Sequence, residues 1–184
     1  MPPVIPYTRQ TWVDGSGGAT PISAARLGVL EEGIVDVSQT PAVRVYHSTT
    51  QSIANAAYTA IAFDSERFDQ AGGAAAAHHN TVTNNSRLTC LYAGIYDIAG
   101  GVEWAANATG QRFLQIRLNG TTGIAISVGA SAAVDSTGHV TIQTIYQLAI
   151  NDYVELMAYQ TSGAGLNVSN IANSSPEFMM VRIG

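Results

Sequence analysis

Pro176-Glu177-Phe178-Met179-Met180-Val181-Arg182-Ile183, near the end of the chain, is the stretch on which the reading of the fold turns. As a strand it alternates faces, so Phe178 and Met180 point one way while Met179, Val181 and Ile183 point the other. Both faces are apolar, and such a strand needs cover on both sides. In an antiparallel sandwich one cover is the core, and the simplest second cover is a neighbouring subunit. A loop or helix of the same chain is the alternative. Asn151-Asp152-Tyr153-Val154-Glu155-Leu156 makes the same demand: Tyr153, Met157 and Tyr159 lie opposite Val154 and Leu156. Tyr153, Met157, Tyr159, Met179, Val181 and Ile183 are therefore expected at a subunit interface.

Working outward, the chain after Pro41 is a succession of runs rich in β-branched and aromatic residues. They are 42–47, 58–63, 87–91, 96–105, 112–119, 123–128, 139–150, 153–160, 165–168 and 177–183. Turn signals such as Asn119-Gly120 and Asn151-Asp152 separate them. Within 112–119, Leu114, Ile116 and Leu118 share one face and Gln115 and Arg117 the other, as in a half-buried strand. About ten short antiparallel strands without intervening helices predict an all-β sandwich or barrel over 41–184.

The N-terminal fifth reads differently. Residues 1–19 open on Met1-Pro2-Pro3-Val4-Ile5-Pro6 and close on Asp14-Gly15-Ser16-Gly17-Gly18, a composition for an extended arm and a joint. Tyr7 and Trp12 favour an attachment arm over a solvated tail. Over 20–40, Thr20-Pro21 reads as an N-cap followed by proline at the first helical position. Leu27, Leu30, Ile34 and Val37 then recur at coiled-coil spacing. The helix would be about 17 residues and about 25 Å long. Gly28 and Gly33 would each cost it about 1 kcal/mol, so it needs partners to persist. Those partners are either copies of itself or the chain's own sheet, and the mixed seam does not set the number of strands in a bundle.

Composition bounds the function. Only 11% of the 184 residues are charged while 46% are hydrophobic, against roughly 25% charged in an average domain. Part of the apolar surplus is expected between subunits. There are eight basic residues against thirteen acidic ones and a net charge of −5, which offers no basic patch for a nucleic-acid backbone. Cys90 is the single cysteine, so neither an intrachain disulfide nor a cysteine-rich zinc site is available, and its neighbours predict a buried strand thiol. No secretory signal is legible at the start, and no apolar run reaches the ~18 residues of a membrane-spanning helix, so no membrane insertion is expected.

The strand entrance Ala93-Gly94-Ile95-Tyr96, the Asn151–Leu156 turn and strand, and the apolar terminal strand together resemble the C1q/TNF-like jelly roll across 42–184. That resemblance implies a ten-stranded sandwich assembled as a tight homotrimer through one sheet. Asn151 stands where glycine is common in the family. Trp12-Val13-Asp14-Gly15, Thr20–Leu27 and Glu31-Glu32-Gly33-Ile34 resemble the linker helix of tail and fibre proteins of tailed bacteriophages. Asn84–Thr89 and Glu103–Gly110 are similar to phage versions of the jelly roll. The resemblance implies a virion component: a trimeric head or tail fibre, or its tip, joined to other virion proteins by the arm.

Little in the sequence announces chemistry. His78-His79, followed by Asn80, is the one histidine pair; three copies near a threefold axis could bind zinc or nickel, whereas solvated loop residues are the commoner reading. Together they form the candidate recognition loop. Asp64, Glu66 and Asp69 read as a solvated acidic edge without calcium-loop spacing. Asp97 and Glu103 share a strand face but lie some 20 Å apart at about 3.3 Å per residue, too far for a glycosidase pair. Gly129-Ala130-Ser131-Ala132-Ala133 lacks the final glycine of a nucleophile elbow. No cofactor is implied and no enzyme is expected. The expected role is attachment to a host cell-surface glycan or protein through loops; the alternatives are a capsid decoration protein without a receptor, or an envelope glycan depolymerase with an inter-subunit site.

Overall fold

A computed structural model of the chain describes residues 28, 30, 40–72, 76–131 and 138–184. The expected arm and most of the linker helix, including Leu27, Ile34 and Val37, lie outside the described residues. Gly28 and Leu30 are helical, and Leu30 is exposed.

Twelve strands follow: β1 (Ala42–Tyr46), β2 (Gln51–Ile53), β3 (Thr59–Ala60), β4 (Ser65–Gln70), β5 (Arg87–Thr89) and β6 (Gly94–Trp104), then β7 (Arg112–Leu118), β8 (Thr122–Gly129), β9 (Gly138–Leu148), β10 (Tyr153–Gln160), β11 (Leu166–Ser169) and β12 (Glu177–Arg182). All pair antiparallel in two sheets. The seven-stranded sheet runs β2-β11-β6-β12-β1-β4, with β9 along the other edge of β6. The five-stranded sheet runs β3-β10-β7-β8, with β5 beside β3 on β10.

The core is the space between the sheets. Val43, Val45, Tyr96, Ile98, Val102, Phe178 and Met180 face it from one side, and Leu114, Ile116, Val154, Leu156 and Ala158 from the other. Each fully buried side chain of this size contributes about 1.5–3 kcal/mol. Gly100 lets the layers close: a Cβ there would stand 3.0 Å from both Leu156 Cδ2 and Phe178 Cδ2. Cys90 is buried, as expected, and its thiol donates to the Tyr92 carbonyl at 3.0 Å.

Two strands were not expected. β4 carries Ser-Glu-Arg-Phe-Asp-Gln, without apolar alternation, because it is an edge strand with an exposed face. β2 is polar, and Gln51 anchors it by donating Nε2 to Ala60 O and accepting the Ala62 N–H at Oε1, both at 2.9 Å. Conversely, the expected strand over 58–63 contracts to Thr59–Ala60. Ile61 and Phe63 remain fully buried outside the ladder.

Candidate functional site

Strand β6 runs through the middle of the seven-stranded sheet, and its outward residues are Ile95, Asp97, Ala99, Gly101 and Glu103. Register aligns Phe68, Arg44, Met179, Ala99 and Gln143 across five strands, and next to them Gln70, Ala42, Val181, Asp97 and Ile145. Met179 and Val181 thus share this outer face, and Ile183 follows just beyond β12. Phe68, Ile95, Ile145 and Ile183 expose between 38% and 63% of their surface there.

Small residues cut a groove of about 310 Å³ into this face, floored by Ala99 and Gly101 and walled by Met179 and Gln143. Its charges are already paired. Glu177, 3% exposed, receives Arg44 on one carboxylate oxygen and Arg67 Nη2 on the other at 3.0 Å. Arg67 gets there because the register between β1 and β4 shifts beside Val45, leaving one extra residue in β4. Glu103 takes His139 Nδ1 at 3.1 Å and Asp97 takes Gln143 Nε2 at 2.8 Å. A face with exposed Phe68, Ile95, Ile145 and Ile183, whose carboxylates Glu177, Glu103 and Asp97 already have hydrogen-bond partners, is suited to being covered by protein.

Tyr153, Met157 and Tyr159 are not part of that face. They lie on the outside of the five-stranded sheet, at the opposite surface of the sandwich, so the expected interface residues divide into two sets. Alternation reports in and out but not which sheet a strand joins. Tyr159 is also covered within the chain, by Tyr58 at 4.9 Å and Phe113 at 5.5 Å between ring centroids.

The histidine pair is not solvated: His78 is 1% and His79 5% exposed. His79 Nδ1 meets Glu66 Oε1 at 2.9 Å, its Nε2 meets Asn85 O at 3.1 Å, and its backbone N–H donates to Asp69 Oδ2 at 3.0 Å. The expected acidic edge is therefore engaged. Asp64 accepts from the amide and hydroxyl of Ser48. Burial pushes the Asp69 carboxyl above its ordinary range, and the His79 amide only partly offsets this. His78 is strapped to β5 at both ends, Thr89 N donating to its carbonyl at 2.7 Å and its Nδ1 donating to Thr89 O at 2.8 Å. Asn80 turns the chain by accepting the amides of Val82 and Thr83.

Behind this loop opens a cavity of about 430 Å³, lined by His78, Asn80, Thr83, Arg87, Thr89 and Tyr153, among others. His78 Nε2 is buried and has no hydrogen-bond partner among the described residues. The Arg87 guanidinium lies over the Tyr153 ring, 4.1 Å from its centroid. Sequence reasoning pointed to the loop but missed Arg87, Thr89 and the cavity, because the lining comes from separate strands. The groove had one legible signal, Gly100-Gly101 inside a strand, which marks close approach.

Among the described residues no cluster of three or more His, Cys, Asp or Glu side chains could hold a metal ion. Asp97 and Glu103 each turn to a separate partner on the outer face. The two-sheet arrangement has counterparts among solved structures. The fold is a C1q/TNF-like jelly roll. Murine APRIL at pH 5.0 superposes with a TM-score of 0.55 at 11% identity, over 78% of this chain and 99% of that one. The globular domain of zebrafish complement 1qA gives 0.52 at 12% identity, over 78% and 98%. Eiger TNF from S. frugiperda gives 0.56 at 12% identity, over 79% and 94%. No family model and no curated protein matches the sequence.

Proposed function

We propose that the chain is a non-enzymatic attachment module of a bacteriophage virion, a head or tail fibre knob, that assembles as a homotrimer through the outer face of its seven-stranded sheet. The observation that carries the assembly is that face: Ile95, Met179, Val181 and Ile145 beside a small-residue groove, with Glu177, Glu103 and Asp97 already paired. The resemblance to the C1q/TNF-like jelly roll implies the same threefold arrangement. The likeness of Trp12–Gly15 and Thr20–Leu27 to the phage linker helix supports placement on a virion, with the arm meeting other virion proteins.

In such a trimer the loop around His78, His79 and Asn80 is presented three times by one rigid body, so weak individual contacts with a host-surface glycan or protein gain avidity. Light scattering tests the assembly: a mass three times 19.3 kDa is expected, and a monomer at micromolar concentration overturns it. Immunogold labelling of purified phage particles tests the location, and unlabelled particles overturn it. A pulldown of host cells, with an unrelated trimer as control, tests attachment; binding no greater than the control overturns it.

A further inference from the structure

We infer that Phe68 of one copy seats in the groove on the seven-stranded sheet of the next, so that the trimer closes head to tail through three ring-in-groove contacts. This rests on the trimer reading and names the contact that holds it. The groove suits an apolar ring. Its floor at Ala99 and Gly101 stands almost at backbone level. A Cβ on Gly101 would lie 3.1 Å from His139 Nε2 and 3.4 Å from Thr141 Cγ2, so a side chain there would take up the space. Met179 forms one wall, and the volume is about 310 Å³. An apolar cavity of about 150 Å³ already accepts benzene, so a phenyl ring has room here.

Phe68 is the matching group. It is 49% exposed on the edge strand β4 and looks out from the same face, in register with Arg44. Its own groove is beyond its reach, because pairing to β1 holds it three strands from β6, about 14 Å at the usual strand spacing. A second copy is the occupant that carries this ring to the groove. Charge agrees with that arrangement. Beside Phe68, Arg44 and Arg67 share the single carboxylate of Glu177, which leaves positive charge in excess at this margin of the face. Glu66 and Asp69 of the same strand are in register with the core-facing Val45 and Val43 and turn to His79 instead. At the far margin Asp97 meets Gln143 and Glu103 meets His139, and neither acid has an arginine partner among the described residues. Setting one margin against the opposite margin of the next copy brings the positive end to the negative one. Such a contact is heterologous, and three of them close a ring.

The test combines thiol cross-linking with light scattering on the full chain. Gln70→Cys lies beside the ring and Thr141→Cys beside the groove, both at exposed positions and four strands apart, at least about 19 Å within one chain. A bismaleimide shorter than that span reaches only between copies, and the buried Cys90 supplies no competing thiol. The double variant is expected to give a ladder ending at the covalent trimer, and each single variant to run as a monomer on a denaturing gel. Phe68→Ala should raise the concentration at which the trimer dissociates at least tenfold, with circular dichroism unchanged because the ring is half-exposed in the single chain. A native trimer that yields no cross-link, or whose dissociation is indifferent to Phe68→Ala, overturns this contact and leaves the trimer reading standing. A ladder ending at the dimer overturns it in favour of reciprocal twofold pairing. A parent chain that stays monomeric overturns both.

Discussion

The ring of His79 joins Glu66 at 2.9 Å with no exposed side-chain surface, tying the 76–86 loop to the edge strand β4. Both ring nitrogens lie within hydrogen-bond distance of oxygens, Glu66 Oε1 on one side and Asn85 O on the other. His79→Ala is expected to cost about 1–3 kcal/mol in urea unfolding, the Glu66 side being partly solvated. Amide exchange over 76–86 should accelerate more than elsewhere. A loss under about 0.5 kcal/mol, the range of neutral surface changes, would show that the ring is not an anchor.

Arg112 is 1% exposed and has no ion-pair partner among the described residues; its Nη1 donates to Thr109 O and Gln111 O and its Nη2 to Asn107 O, all at 3.0 Å. Burial lowers its proton affinity, though a guanidinium stays charged at any working pH. Arg112→Met keeps the stem's bulk and removes the three bonds. The loop between β6 and β7 should become the first site of limited proteolysis, and a cleavage pattern like that of the parent chain would count against this role.

Gly110 and Gly163 make a matched pair. Both have positive φ, +75 and +94, but a Cβ at Gly110 would lie 1.9 Å from the Thr161 carbonyl oxygen while one at Gly163 meets nothing within 4 Å. Gly163→Ala should cost only the conformational term, about 1 kcal/mol. Gly110→Ala should cost clearly more by chemical denaturation. Equal losses would mean that the loop yields freely.

For assembly, Ile183→Asp together with Val181→Asp alters side chains that are exposed or half-buried in the single chain. Sedimentation should therefore report loss of the trimer with the strand signal in circular dichroism retained. A trimer persisting in this double variant would place the interface on another face. By the same reasoning Tyr159→Ser, on the other sheet, should leave the mass unchanged.

Asp69 has its carboxyl pKa raised by burial, so folding favours the protonated form. Its contribution is most stabilising below the ordinary carboxylate pKa of about 3.9 and is lost as pH climbs through the raised value. Asp69→Asn removes this term. The stability difference, variant minus parent, should rise with pH across that window in paired thermal melts; a flat difference would refute the assignment.

Much of this was legible. The alternation in Arg112–Leu118 and the double apolar face of Glu177–Arg182 place those strands correctly, because a side-chain period of two is a local property of the backbone. β4 was not legible, since Glu66, Arg67 and Asp69 are held by tertiary partners rather than by an apolar pattern. The histidines were misread for the same reason: His78 and His79 are polar in sequence and buried in space.

Sequence alone determined an all-β chain, its turn positions and a surplus of apolar surface, all consequences of composition and short-range periodicity. Only the tertiary structure decided that β10 and β12 belong to different sheets, which sends Tyr153, Met157 and Tyr159 to one surface and Met179, Val181 and Ile183 to the other. It also decided that His78, Arg87 and Tyr153 line one cavity. Strand partnership is set by long-range pairing, and no local pattern records which partner a strand will find.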